Sequence, residues 1–194
     1  MSSRIITLPN LLTIVRMALV PVFVSLLFYQ KFLLALAVFV IAGITDGLDG
    51  LLARRFHQQS PLGRILDPIA DKMMLVTSFV VLSMRNVYPT PLPHHLPIPF
   101  WVTITVISRD VFILVGAAAI NMVSGFRAFR PSFLGKLSTV VQIGAVAVVI
   151  FAAQTRVGTG YYLPTVYMAV FTLTLLSGIH YVFFVSRLLN DDRK

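Results

Sequence analysis

The chain has 194 residues, 57% hydrophobic and 12% charged, with a mean hydropathy of +0.87. A soluble domain usually carries roughly a quarter charged residues, so the composition argues against a water-soluble fold, and the net charge of +9 favours anionic partners. Cysteine is absent, which excludes disulfides and thiolate chemistry and leaves the compartment open.

In chain order, residues 1–10 (MSSRIITLPN) read as a short N-terminal interfacial segment ending at Pro9-Asn10. Pro9 precedes the first apolar run and no convincing small-residue cleavage site follows, so a cleaved signal peptide is not expected. Six apolar runs follow, at about 11–29, 32–53, 65–84, 98–122, 134–155 and 162–186. Each is near the ~20 residues that span a bilayer as a helix. Helix-period templates fit throughout, and no useful strand alternation is present. The expected fold class is therefore all-α: a polytopic membrane protein with six transmembrane helices, forming a single domain over 1–194.

The connections carry their own signals. The segment 85–99 (RNVYPTPLPHHLPIP) holds five prolines and is not expected to be helical. Its adjacent His94 and His95 do not share a helix face and read as solvated loop residues. Segment 124–135 is a basic turn punctuated by Gly125, Pro131 and Gly135. With the N-terminus inside, ten cations fall on inner segments and three (Lys31, Arg85, Arg156) on outer loops. The positive-inside rule then places both termini in the cytoplasm, and a bacterial inner membrane is the expected location. Arg16, Lys72 and Arg109 lie within the apolar runs. The basic inner rim suits anionic headgroups or phosphorylated substrates. Nucleic acid is not an expected partner, because no aromatic-basic module lies outside the membrane.

Acidic residues are scarce and unevenly placed. The chain has seven, all Asp, and four of them, Asp46, Asp49, Asp67 and Asp71, fall within 26 positions. A carboxylate in a hydrophobic span costs several kcal/mol unless its charge is offset, which makes each a functional candidate. Asp46 and Asp49 are three apart, with Gly50 and Ala53 at the same helical register. Gly63, Asp67 and Asp71 recur at intervals of four, after the turn FHQQSP, whose Ser60-Pro61 is a helix-start signal. Two carboxylate pairs on two helices, aimed at one another, would repel and take up protons unless neutralised. Two divalent cations would neutralise them, and all-oxygen ligation suits Mg²⁺ or Mn²⁺. Gly50, Ala53 and Gly63 leave that surface without bulk, and Arg54 has a guanidinium able to grip a phosphate bidentately.

The pattern Asp46-x-x-Asp49-Gly50-x-x-Ala53-Arg54-x8-Gly63-x-x-x-Asp67-x-x-x-Asp71 resembles the signature of the CDP-alcohol phosphatidyltransferases at all eight fixed positions and both spacings. The opening LPNLLTIVRMALVPVF and the later GKLSTVVQ are similar to members that make phosphatidylglycerophosphate or cardiolipin. The resemblance implies six transmembrane helices, a homodimer, and an active site open to the cytoplasmic interface. It implies transfer of a phosphatidyl group from CDP-diacylglycerol to an acceptor hydroxyl, with release of CMP. Asp46, Asp49, Asp67 and Asp71 would hold two divalent metals, and Asp71 would also be the general base. Asp49, Gly50, Ala53, Arg54 and Gly63 would line the CDP pocket.

The acceptor stays open between glycerol-3-phosphate, giving phosphatidylglycerophosphate, and phosphatidylglycerol, giving cardiolipin. Either needs a cationic clamp, and Arg109, Arg127, Arg130 and Lys136 are the available residues in the later half. Resemblance to the phosphatidylglycerophosphate-forming members leads one to expect Arg-Glu and another Arg two turns on. The chain instead has Arg109-Asp110 followed by Ala117, and its RPSFLGKLSTVVQ is closer to eukaryotic-type cardiolipin-forming members. Arg109-Asp110 also reads as a self-neutralising polar contact. Two alternatives of other kinds are membrane prenyltransferases, which lack the Gly50-x-x-Ala53-Arg54 pattern, and an ion-coupled transporter using intramembrane carboxylates.

Overall fold

The structure is a computed structural model. It describes the backbone of residues 8–56, 63–92, 94–124, 133–155 and 159–191, and side chains within 11–45, 72–92, 94–116, 133–155 and 159–183. Among the described residues the chain is all-helical, with six helices and no strand: α1 (Leu8–Phe28), α2 (Phe32–Phe56), α3 (Gly63–Leu82), α4 (Phe100–Ser124), α5 (Phe133–Thr155) and α6 (Thr159–Asp191). Each expected apolar run falls on one helix. Helices are the economical answer for such runs, because in an apolar surround every backbone N–H and C=O must find its partner within the segment.

Among the described residues, three stretches are long and apolar enough to cross a membrane: Leu11–Phe28, Phe133–Thr155 and Thr159–Phe183. The apolar stretches Phe32–Thr45 and Lys72–Leu82 are shorter. The N-terminal boundary differs from expectation. Helix α1 begins at Leu8, so Pro9 and Asn10 belong to its first turn rather than to a lead-in. Proline is tolerated there because the first-turn N–H groups have no intrahelical acceptor.

Helix α1 packs against both α2 and α3, α5 lies against α2 and α6, and α4 packs on α6. The α1–α2 turn is a Schellman motif: Lys31 N–H donates to Leu26 O at 2.8 Å and Gln30 N–H to Leu27 O at 2.9 Å. Gln30 occupies the left-handed position, with φ 56°. Phe23 and Leu27 of α1 are buried in one core with Phe39 of α2, the Phe23 and Phe39 rings 5.8 Å apart.

Helix α5 shows how sequence spacing sets burial. Its buried residues Ser138, Gln142, Ala145, Val146, Val149, Ile150, Ala152 and Ala153 recur at three and four, forming one stripe. The polar end of that stripe is only partly satisfied: the Gln142 amide nitrogen is bonded on both sides, while its Oε1 is buried without a hydrogen-bond partner. Gln142 Nε2 donates to Thr174 Oγ1 on α6 at 3.1 Å and to Ser138 Oγ at 3.3 Å.

The proline-rich connection between α3 and α4 contains a single 3-10 turn at Arg85–Val87, ahead of its first proline. It caps the end of α3. Leu82 O, a terminal carbonyl without a helical partner, accepts from the Tyr88 hydroxyl at 2.7 Å and from Ile98 N–H at 3.0 Å. Burial, and then the neighbouring Tyr167 phenol, push the Tyr88 hydroxyl well above its ordinary pKa, so it stays a donor. Tyr167 of α6 ties down the same loop by donating to His95 O at 2.8 Å.

Large apolar side chains such as Leu114, Phe133, Val140, Tyr161 and Phe183 stand exposed on α4, α5 and α6. Singly they would mean little, but spread over several helices they form the surface a hydrocarbon layer would cover.

Candidate active site

The carboxylate motif lies at the end of α2 and the start of α3. Asp46, Asp49, Gly50, Ala53 and Arg54 are in the last turns of α2, and Gly63, Asp67 and Asp71 are in the first turns of α3. The backbone is helical through both stretches, so Asp46 and Asp49 are three residues apart on one helix, and Asp67 and Asp71 four apart on the next. Those are the separations at which helix positions become neighbours. The expected facing of the two pairs lies outside the described side chains, as do the side chains of Gly50, Ala53, Arg54 and Gly63. Of the acceptor candidates, Arg127 and Arg130 lie outside the described residues. A metal fits the chemistry of this donor set: four carboxylates and no nitrogen or sulfur ligand suit a hard divalent cation.

Immediately beyond Asp71 the side chains are described, and they form a charged network across four helices. Lys72 Nζ on α3 lies 2.6 Å from Asp110 Oδ2 on α4. The other carboxylate oxygen, Oδ1, accepts from Arg109 Nη1 at 2.7 Å. The expected contact between Arg109 and Asp110 is therefore present, and Lys72 joins it. Arg109 reaches further: Nη2 and Nε donate to Ser177 Oγ on α6 at 2.7 and 3.3 Å, and Nη2 approaches Gly135 O at the start of α5 at 3.5 Å.

Burial divides this network into an inner and an outer end. The side chains of Arg109 and Asp110 are 8% and 7% exposed, whereas that of Lys72 is 44% exposed. Arg109 needs this dense hydrogen bonding, because a buried charge left short of partners is strongly destabilising. The buried Asp110 Oδ2, which has no aligned hydrogen bond, is balanced by the Lys72 ion contact. The outer end is screened by its surroundings and contributes less to stability. Lys136, the remaining described acceptor candidate, is exposed one residue beyond Gly135.

Two members of the network, Lys72 and Ser177, belong to no motif in the sequence. Lys72 carried a usable signal, since a cation inside an apolar run requires a counter-charge. Its partner, 38 residues away on another helix, had no local signature.

These observations define, among the described residues, an all-helical chain with three helices long and apolar enough to cross a membrane, an Asp motif on the end of α2 and the start of α3, and a charged network centred on Arg109 and Asp110. The chain belongs to the CDP-alcohol phosphatidyltransferase family, whose family model matches residues 6–186. It is 34% identical over 187 residues to a probable phosphatidylglycerophosphate synthase of Mycobacterium tuberculosis, covering 93% of this chain and 82% of that protein. It is 31% identical over 191 residues to the rat cardiolipin synthase (CMP-forming), covering 90% of this chain and 60% of that protein. The Streptomyces coelicolor cardiolipin synthase (CMP-forming) is 34% identical over 144 residues, with coverages of 71% and 62%. The chain thus spans about 60% of the length of these two cardiolipin synthases. Family membership leaves the transporter and prenyltransferase alternatives without support.

Proposed function

We propose that this protein transfers a phosphatidyl group from CDP-diacylglycerol to an acceptor alcohol and releases CMP. The observation that carries the reading is the complete eight-residue motif from Asp46 to Asp71, on the end of α2 and the start of α3 of a chain in this family. In this reading Asp46, Asp49, Asp67 and Asp71 hold two divalent cations, Mg²⁺ or Mn²⁺. Bound there, the cations would offset charge on the diphosphate and on the departing CMP.

The chain's own residues do the rest. Asp49, Gly50, Ala53, Arg54 and Gly63 form the CDP pocket: the small residues let the nucleotide approach the helix backbone, and Arg54 hydrogen-bonds the diphosphate. Asp71 accepts the proton of the acceptor hydroxyl as its oxygen attacks the lipid-linked phosphorus. The bond from that phosphorus to the bridging oxygen breaks, and the electron pair leaves with CMP. Arg109, Arg127, Arg130 and Lys136 supply positive charge for the acceptor. We further infer six membrane-spanning helices in one domain, a homodimer, and both termini on the cytoplasmic side of a bacterial inner membrane.

The acceptor we favour is glycerol-3-phosphate, supported by the nearly full-length similarity to the mycobacterial protein named for phosphatidylglycerophosphate synthesis. The second reading, phosphatidylglycerol giving cardiolipin, draws on the cardiolipin synthases and on Asp110 where glutamate was expected. Purified protein given CDP-diacylglycerol, Mg²⁺ and each acceptor in turn, with the lipid product identified by mass spectrometry, decides between them. Absence of CMP release with every acceptor overturns the transferase reading.

A further inference from the structure

Among the described side chains, the network beyond Asp71 contains two cations and one carboxylate, one positive charge in excess. Arg109 contributes its charge to this region from within the protein, with its donors already engaged there. Its side chain is 8% exposed, and Nε, Nη1 and Nη2 all donate within the protein, to Ser177, Asp110 and Gly135. Lys72 is differently placed: its side chain is 44% exposed, and Asp110 Oδ2 engages its ammonium from one side. The contact is an ion pair without an aligned hydrogen bond, and an ammonium carries three N–H donors with which to meet an anion.

We propose that Lys72 binds the phosphate of the acceptor alcohol, and that Asp110, itself seated by Arg109, is the positioning residue that aims the Lys72 ammonium. The inference rests on the transferase reading and adds a residue to it. Lys72 directly follows Asp71 in α3, and consecutive Cα atoms are about 3.8 Å apart. Adjacent positions leave a helix about 100° apart, so an acceptor whose phosphate is held at Lys72 has only to reach round one helix position to bring its hydroxyl to the proposed base. Both acceptors under consideration have their reacting hydroxyl and their phosphate on one glycerol unit, so the site suits either. The Asp110 contact also restricts a flexible lysine before the ligand arrives, which lowers the ordering cost of binding.

The test uses the full chain in lipid vesicles, with glycerol-3-phosphate and phosphatidylglycerol as acceptors in separate arms. Lys72→Met should raise the acceptor KM by about tenfold or more, the loss of one charged hydrogen bond. The KM for CDP-diacylglycerol and the Mg²⁺ dependence should not move. Lys72→Arg should restore much of the acceptor affinity, and inorganic phosphate should inhibit the wild type more strongly than Lys72→Met. Asp110→Asn should raise the acceptor KM in the same selective way, with Asp110→Glu closer to wild type. Since Asp110→Asn leaves the buried Arg109 short of counter-charge, its thermal melting is read alongside, and the half-exposed Lys72→Met carries the decision. An unchanged acceptor KM in Lys72→Met, or a parallel rise in both substrates' KM values, overturns the inference. A wild type that releases no CMP in either arm overturns the transferase reading instead.

Discussion

Gly116 on α4 sits against the ring of Tyr181 on α6 so closely that a Cβ at position 116 would lie 2.9 Å from both Tyr181 Cε1 and its hydroxyl oxygen. The ring has little room to retreat. Its hydroxyl donates to Ile113 O at 3.2 Å, and Phe112 meets it edge-on with centroids 6.2 Å apart. Glycine thus sets the closeness of these two helices, a recurrent device where membrane helices pack without a hydrophobic driving force between them. Gly116→Ala should destabilise the protein by about 1–3 kcal/mol through overpacking, read as a lower melting temperature in detergent. Adding Tyr181→Ala should remove most of that penalty, and a single variant as stable as wild type would show that the helices separate freely.

A second expectation concerns Gln30, which holds a left-handed conformation at the α1 terminus. A side chain in that region costs roughly 1–2 kcal/mol, which glycine avoids. Gln30→Gly should therefore raise stability, by about 1 kcal/mol at most after the added freedom of the unfolded chain is counted. Gln30→Val should lower it. Thermal unfolding of the two variants beside wild type tests the order.

The contrast between these positions shows what was readable from the chain. The six apolar runs found their helices because burial of apolar length is a local property, and each run lies on one of α1–α6. The eight motif positions were equally legible, since their spacing is a matter of helix register. The end of the α1 helix at Gln30 carried no glycine to announce its left-handed turn, and the approach of Gly116 to Tyr181 joins residues 65 apart. The same holds for Lys72 and Asp110: each is visible as a charge in an apolar run, but their pairing depends on how α3 and α4 are arranged. Long-range partner choice is where local pattern stops informing.

Within the proposed site, Arg54→Ala tests the nucleotide pocket. Losing a charged hydrogen bond to the diphosphate should weaken CDP-diacylglycerol use by roughly 1.5–3 kcal/mol, which appears as a lower kcat/KM for that substrate. The neighbouring Arg55→Ala should have a smaller effect, because Arg55 is not one of the eight motif positions and belongs to the basic inner rim. Equal and negligible effects in both variants would make Arg54 an anchor too.

Asp71→Asn separates base catalysis from substrate capture. Asparagine preserves the shape and a carbonyl oxygen but cannot take the acceptor proton, so turnover should fall by the ~10²–10⁴-fold typical of a lost general base. Binding of CDP-diacylglycerol should be largely retained, because Asp46, Asp49 and Asp67 still supply carboxylates for the cations and the pocket residues are untouched. The two readouts are steady-state CMP release and direct binding of a CDP-containing lipid to the purified variant. Lost binding together with lost turnover would assign Asp71 to the metal site alone. Near-normal turnover would remove it from the chemistry, since no step of the transfer could then depend on its carboxylate.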